Sequence, residues 1–330
     1  MKIAITGASG HIGNVLCREL LKLGHKVRAL VHSDNVEHSH SIEDLSLERI
    51  HGDILNSDSL IEFCAGSDVV FHLAAKISID GDPDGSLLRT NVEGTENVIK
   101  ACLATNVKRL IHFSSIHAYK QAPFNEELSE KGDFVDSDDS CYNYYKALGE
   151  KSVQKGVEAG LDAVILSPTG VLGPFDYQPS FMGKALLDLY NGKLPALVHG
   201  GFDWVDVRDV VSSAICAMEK GRKGERYLLS GRWMSVRDLM ELFAEITEKQ
   251  APKFTSPVWL AKAGLPFIRL HGKLIKKPPL YTKEAMDTLL YSNSHITARK
   301  AEQELGHSSR SMEEILRDEF TWFKERNFIK

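Results

Sequence analysis

Tyr142 and Lys146 stand four residues apart in CYNYYKALGE, a segment that reads as helix, so the two side chains share one face. A phenol beside an ammonium is equipped to give a proton to a developing alkoxide or to take one from an alcohol. At about 4 Å and an effective dielectric near 20, the ammonium contributes on the order of 4 kcal/mol. That would move a phenol's titration from about 10 by about three pH units before desolvation is subtracted. Tyr144 and Tyr145 crowd the segment, but helical geometry selects Tyr142. The same spacing also occurs on solvated helices, so its weight depends on what accompanies it.

What accompanies it is TGASGHIG, with Gly7, Gly10 and Gly13 between an apolar strand and a helix carrying Ile12, Leu16, Leu20 and Leu23. Glycines there allow a tight turn and a close approach to a pyrophosphate, whose charge the helix N-terminus stabilises. Gly7, Ser9, Gly10, His11, Ile12 and Gly13 are therefore assigned to a dinucleotide. At the end of the second strand, where an acidic residue would hold the adenosine ribose of NAD, the chain has Val31 followed by His32. A missing carboxylate removes a repulsion against a 2′-phosphate, and His32, Ser33 and Arg28 supply donors. Asp34, slightly further on, works against this. The expectation is NADP(H) over NAD(H). Asp53 in HGDI is either an acceptor for the adenine amino group or a turn cap. Ser114 and Ser115 end the fifth strand, and Ser115 is chosen to hold the substrate oxygen beside the phenol, the alternative being a strand-end serine bonding local backbone.

These residues need a scaffold that brings strand ends together. Apolar strands at Lys2–Thr6, Lys26–Val31, Glu48–His51, Asp68–His72, Arg109–Phe113 and Asp162–Ser167 alternate with helices at His11–Leu23, Leu88–Thr105 and Tyr142–Ala159. Such alternation predicts an α/β fold, a Rossmann-type doubly wound parallel sheet. Residues 1–167 form the expected NAD(P)-binding domain and 168–330 mainly a smaller substrate-binding lobe, from which the chain may return to the sheet. Ser235 and Asp238 form a capping-box pattern ahead of Leu239, Leu242, Phe243 and Ile246, and Asp206 and Asp209 start a helix over Val210–Glu219. Phe175, Tyr177, Phe181 and Trp204 suggest an apolar substrate wall.

With 43% hydrophobic and 26% charged residues among 330, the composition is globular, and a net charge of −5 without a basic arm gives nucleic acid little hold. Cys17, Cys64, Cys102, Cys141 and Cys216 have no paired spacing, so neither a disulfide framework nor a zinc cluster is expected, and the cytoplasm is. The N-terminus reaches glycine after a five-residue apolar strand, unlike a secretory signal, and no membrane span is expected. From Lys249 to Lys283 there are eight Lys/Arg and no Asp/Glu, interleaved with Trp259, Leu260, Phe267 and Ile268. This segment is a solvated basic face, or else a membrane-surface patch or a site for an anionic substrate.

Taken together, TGASGHIG, GDI, FHLAA, NVEGTENV, HFSSIHAY, the Tyr142/Lys146 pair, SPTGVLGP and ITARKAEQELG resemble the extended short-chain dehydrogenase/reductase superfamily, in its dihydroflavonol-reductase-like and hydroxysteroid-dehydrogenase-like branches. The resemblance implies a catalytic Ser115, Tyr142 and Lys146, adenine contact from Asp53 and Ile54, pyrophosphate and ribose contacts from Leu73, Ala74 and Ala75, and nicotinamide contact near Pro168 and Thr169. It implies a structural role for Asn91 and a homodimer built on the helices Leu88–Thr105 and Tyr142–Ala159. The chain departs from the family in having Tyr145 before the lysine, where Ser or Thr is usual, and His32 where the reductases commonly have Arg. The expected activity is NADP(H)-dependent reduction of a small ketone or aldehyde. The alternatives are a nucleotide-sugar epimerase or dehydratase, with Arg208 and Arg232 as candidate diphosphate contacts, and a dinucleotide sensor without turnover.

Overall fold

Alternating apolar strands need both faces covered, and the chain achieves this with a seven-stranded parallel sheet. The computed structural model describes residues 1–32, 40–78, 81–257 and 282–329, so Ser33, Asp34, Trp259, Leu260, Phe267 and Ile268 lie outside the described residues. The elements are β1 (Lys2–Thr6), α1 (His11–Lys22), β2 (Lys26–Val31), β3 (Glu48–His51), α2 (Ser57–Cys64) and β4 (Val69–His72). Then follow α3 (Ser86–Leu88), a π-helical turn Arg89–Glu93, α4 (Gly94–Ala104), β5 (Arg109–Phe113), α5 (Cys141–Glu158), β6 (Ala163–Pro168) and β7 (Gly170–Leu172). The remainder comprises α6 (Phe181–Tyr190), β8 (Leu197–Val198), β9 (Gly201–Asp206), α7 (Val207–Lys220), β10 (Arg226–Leu229), β11 (Arg232–Ser235) and α8 (Val236–Ile246), then helices Lys283–Leu290, Arg299–Leu305 and Met312–Glu325.

The sheet order is β10-β6-β5-β4-β1-β2-β3, so the chain reverses direction between β1 and β4. At such a switch point the carboxyl ends of neighbouring strands open a crevice. Four strands have the expected bounds, while β4 and β6 each begin one residue later. Asp68, just before β4, still ties the sheet's lower end together: its amide donates to the Lys2 carbonyl at 2.7 Å, and its carboxylate accepts from the amide of Lys2 at 2.9 Å and from Lys108 at 2.7 Å. After the second lobe has begun, α7 and β10 return to the sheet, β10 pairing with β6.

One apolar layer joins Leu16 and Leu20 of α1 to Val210 and Ala214 of α7, and the opposite layer joins Phe63, Val98 and Cys102. Each fully buried Leu or Phe contributes roughly 1.5–3 kcal/mol. The second lobe has its own core around Leu186, Phe243 and Phe323, on a three-stranded sheet ordered β11-β9-β7. The expected helix starts form: Ser235 caps α8 by accepting from the amide of Asp238, and Asp206 caps α7 by accepting from that of Arg208, three residues ahead of the expected Val210. The five cysteines are free.

Candidate active site

A cavity of about 520 Å³ opens at the switch point and runs into the second lobe. Gly7, Gly10, His11, Ile12 and Gly13 line one end, with Leu73 and Ala75 opposite them, and Ser115, Tyr142, Lys146, Pro168 and Thr169 line its middle.

The three glycines differ in what they face. Gly7 has φ +73°, and a Cβ there would lie 2.6 Å from the amide nitrogen of Ala74. On Gly13 a Cβ would meet the carbonyl oxygen of Gly7 at 2.1 Å, so only hydrogen lets α1 lie against the turn. Around Gly10 a Cβ would meet nothing closer than that oxygen at 3.4 Å, and the residue faces the cavity as the N-cap of α1. An open, side-chain-free approach to a helix N-terminus fits a dinucleotide's pyrophosphate. His11 lines the cavity and donates from Nε2 to the Pro174 carbonyl at 3.0 Å, while Ser9 uses its own carbonyl to accept from Ser41. Ser9 and Ala74 stand just outside the lining.

The opposite wall is held by a buried polar chain. Thr6 pairs with Nδ1 of His72 at 2.7 Å, Nε2 of His72 with Thr95 at 3.0 Å, and Thr95 donates to the carbonyl of Asn91. Asn91 closes the chain by bonding both the amide and the carbonyl of Lys76, at 2.8 and 2.9 Å, which fixes the turn that contains Leu73, Ala74 and Ala75. Burial pushes His72 down to about 3, leaving it an uncharged link.

Farther along β2 the arrangement differs from expectation. Arg28 cannot serve a cofactor: it is buried, bonds Glu48 twice at 2.9 Å and donates to the carbonyls of Glu62, Phe63 and Ala65. His32 is exposed at the strand end with its Nε2 3.5 Å from the Asp53 carboxylate. Asp53 accepts from the amide of Leu55 at 2.9 Å, the turn-capping alternative, yet stays half-exposed; Ile54 is buried against Gly94.

The Ser140 hydroxyl accepts from the amide of Asn143 and starts α5 one residue before Tyr142, so Tyr142 and Lys146 both reach the cavity. Tyr144 and Tyr145 face each other outside it. The two serines separate as well. Ser114 donates to the buried Glu150 at 2.5 Å, whereas Ser115 lines the cavity with Tyr142 while its Oγ accepts from the amide of His117 at 3.2 Å, the local backbone bond of the alternative reading. The electrostatics correct the simple pair argument. Burial pushes the Tyr142 phenol up to about 12, with Ser115 pulling the other way, and burial pushes Lys146 down to about 8, opposed by Glu150. Lys146 donates to the Phe113 carbonyl at 3.0 Å, and desolvation outweighs the expected pull of ammonium on phenol.

Beyond Tyr142 the cavity is mostly apolar, with Phe181, Met182, Leu197, Phe202, Trp204 and Met240 among its walls. Phe181 and Trp204 lie where expected. Phe175 and Tyr177 do not: they pack on Trp322 with ring centres 4.8 and 4.9 Å away. Arg208 is taken up by Asp206 and Asp318, and neither it nor Arg232 lines the cavity. His117, Asn143 and Glu284 line it and were not singled out from sequence; His117, two residues after Ser115, carried a positional signal.

A sequence model of the NAD dependent epimerase/dehydratase family matches residues 3–230. The chain belongs to that family. Sterol demethylase protein B of Methylococcus capsulatus is 32% identical over 336 residues, covering 100% of both chains. The 2-alkyl-3-oxoalkanoate reductase of Stenotrophomonas maltophilia is 30% identical over 300 residues, covering 85% of this chain and 87% of that one. The crystal structure of gox2253 superposes with a TM-score of 0.85 at 27% identity, covering 99% of each chain. As a member of the epimerase/dehydratase family with reductases among its relatives, the protein is an NAD(P)-dependent oxidoreductase of carbonyl or alcohol groups, of the extended short-chain dehydrogenase/reductase type. No described helix is long and apolar enough to cross a membrane.

Proposed function

We propose that the protein reduces an uncharged small ketone or aldehyde with NADP(H), using Ser115, Tyr142 and Lys146. The observation that carries this reading is one cavity lined at once by the glycine turn, by these three side chains and by an apolar arm. NADP(H), when bound, supplies the hydride. Gly7, Gly10, Gly13 and the start of α1 would hold its pyrophosphate, Leu73, Ala74 and Ala75 its ribose side, Asp53 and Ile54 its adenine, and Pro168 and Thr169 its nicotinamide end. The preference over NAD(H) rests on Val31 and His32 standing where a carboxylate would be.

Tyr142 gives its phenolic proton to the carbonyl oxygen as that oxygen gains charge. The phenol, pushed up by burial, carries its proton at neutral pH, the form from which it donates. Ser115 holds the same oxygen and orients the phenol, and the Lys146 ammonium stabilises the tyrosinate left behind. Residues 1–167 serve the cofactor and most of 168–330 the substrate, with α7 and β10 as the exception. We also read the protein as a cytoplasmic homodimer built on the outer faces of α4 and α5, which size-exclusion chromatography with light scattering tests.

Incubation with NADPH and a panel of carbonyl compounds, followed by absorbance, tests the activity. Net consumption that Tyr142→Phe lowers by at least about a hundredfold supports it. Product without net consumption belongs to an epimerase, and binding without turnover to a sensor; either overturns the reading.

A further inference from the structure

Two buried histidines away from the cavity show what a structural imidazole looks like in this fold. His72 bonds Thr6 and Thr95, and His307 bonds Ser213 at 2.8 Å and the carbonyl of Ser230 at 2.9 Å, so both ring nitrogens of each are satisfied. Among the described residues His112 leaves Nδ1 unpaired, but it is enclosed within the sheet and does not line the cavity.

His117 is different. It lines the cavity, and among the described residues neither of its ring nitrogens has a hydrogen-bond partner. Its ring is nevertheless fixed. It stacks on Phe202 with centroids 5.5 Å apart and planes 21° apart, and it meets Tyr142 edge-on at 5.7 Å. The backbone is fixed too: the amide of His117 donates to Ser115 Oγ at 3.2 Å within the 3-10 turn Ile116–Ala118. A rigid ring with two unused nitrogens, side by side with the proposed proton donor, is placed to recognise a ligand rather than to support the fold.

We propose that His117 is a specificity-determining contact, hydrogen-bonding a second oxygen of the substrate on a carbon one or two bonds from the carbonyl being reduced. Burial pushes the imidazole down to about 4, Asp139 opposing and Lys146 adding to the effect, so at neutral pH it presents one donor and one acceptor and no charge. It therefore suits an ester, ketone or hydroxyl oxygen rather than a carboxylate or phosphate. The arm beyond, with Phe181, Leu197, Trp204 and Met240, takes the rest of the molecule. The class of substrate is a β-oxo or α-hydroxy carbonyl compound with an apolar chain or ring.

This inference rests on the reductase reading, and the test separates the two. The full-length protein is assayed with NADPH on ethyl 3-oxohexanoate and on 4-nonanone, which match in length and carbonyl position and differ in the second oxygenated group. The readout is the ratio of kcat/KM for the two, in the wild type, in His117→Phe, which keeps a ring against Phe202, and in His117→Asn, which keeps a donor and an acceptor. We expect the ratio to favour the keto ester in the wild type, to fall at least about fivefold in His117→Phe, and to fall less in His117→Asn. A ratio unchanged in His117→Phe, or both probes slowed equally, overturns the role assigned to His117 while leaving the reductase reading intact. A wild type that consumes NADPH with neither probe, nor with any of the carbonyl panel, overturns the reductase reading and this inference with it.

Discussion

The ammonium nitrogen of Lys146 donates to the main-chain carbonyl of Phe113 at 3.0 Å, tying the middle of α5 to the end of β5. That bond fixes where the lysine stands, but burial makes its charge costly, and its titration is pushed from 10.5 down to about 8. Below pH 8 the folded protein carries the charge at a cost of up to roughly 3 kcal/mol. Between about 8 and 10.5 the folded state releases its proton while the unfolded chain keeps it, so this contribution to stability rises with pH. Lys146→Met should therefore abolish reduction and yet melt above the wild type at pH 7, with the gap narrowing from pH 8 to 10. Thermal melts across that range check it, and a variant melting lower at pH 7 contradicts it.

Gly10 and Gly13 sit three residues apart in one turn and should fail differently. Gly13→Ala puts a Cβ 2.1 Å from a backbone oxygen that has no room to move, and should cost several kcal/mol or prevent folding. Gly10→Ala meets only that oxygen, at 3.4 Å, and should fold normally while losing at least about tenfold in NADPH affinity, because the methyl stands where the backbone must approach the pyrophosphate. Melting temperature and fluorescence titration separate the two effects.

Cofactor preference turns on the end of β2. Val31→Asp introduces a carboxylate that accepts from ribose hydroxyls and repels a 2′-phosphate, so the ratio of NADPH to NADH efficiency should fall at least about tenfold. Parallel kcat/KM measurements with both coenzymes check it. A wild type that already prefers NADH would end the NADP(H) reading.

The first six strands and the glycine turn were legible because strand period, helix period and turn glycines agree locally over residues 1–168. Tyr142 over Tyr144 and Tyr145 followed from helical spacing alone. The second lobe was harder because its cavity walls come from separated elements: Leu197 and Trp204 on strands, Met240 on α8 and Leu289 on a helix near the far end of the chain converge only after β9 has paired with β7. β10 is only four residues, RYLL, opening on Arg226 directly after Glu225, too short for periodicity to declare it a sheet strand. Phe175 and Tyr177 looked like substrate wall because an aromatic residue in a loop has the same local signature whether it faces a ligand or, as here, the Trp322 of a helix almost 150 residues later. The titration of Tyr142 was misjudged for a related reason, since burial is a property of the folded neighbourhood rather than of the spacing.

Glu319 gives a test of the fold that does not involve the active site. It is fully buried on the terminal helix Met312–Glu325, where one oxygen accepts from the amide of Gly173 at 3.3 Å and the other has no partner among the described residues. Burial raises its titration well above the ordinary 4.5, and the charges of Asp176 and Asp206 push the same way. For a carboxyl raised in the folded state, the associated stability is complete below the unfolded value, near pH 4.5, and is lost as pH climbs toward the folded one. At neutral pH the wild type should thus bear a penalty that a neutral amide of the same shape avoids. Glu319→Gln is expected to melt higher than the wild type at pH 7 to 8 and no higher near pH 4, whereas Glu319→Ala, which empties the site, should melt lower than Glu319→Gln throughout. Scanning both variants by differential scanning fluorimetry from pH 4 to 8 checks it, and a Glu319→Gln offset that does not vary with pH would show that Glu319 titrates alike in the folded and unfolded chains.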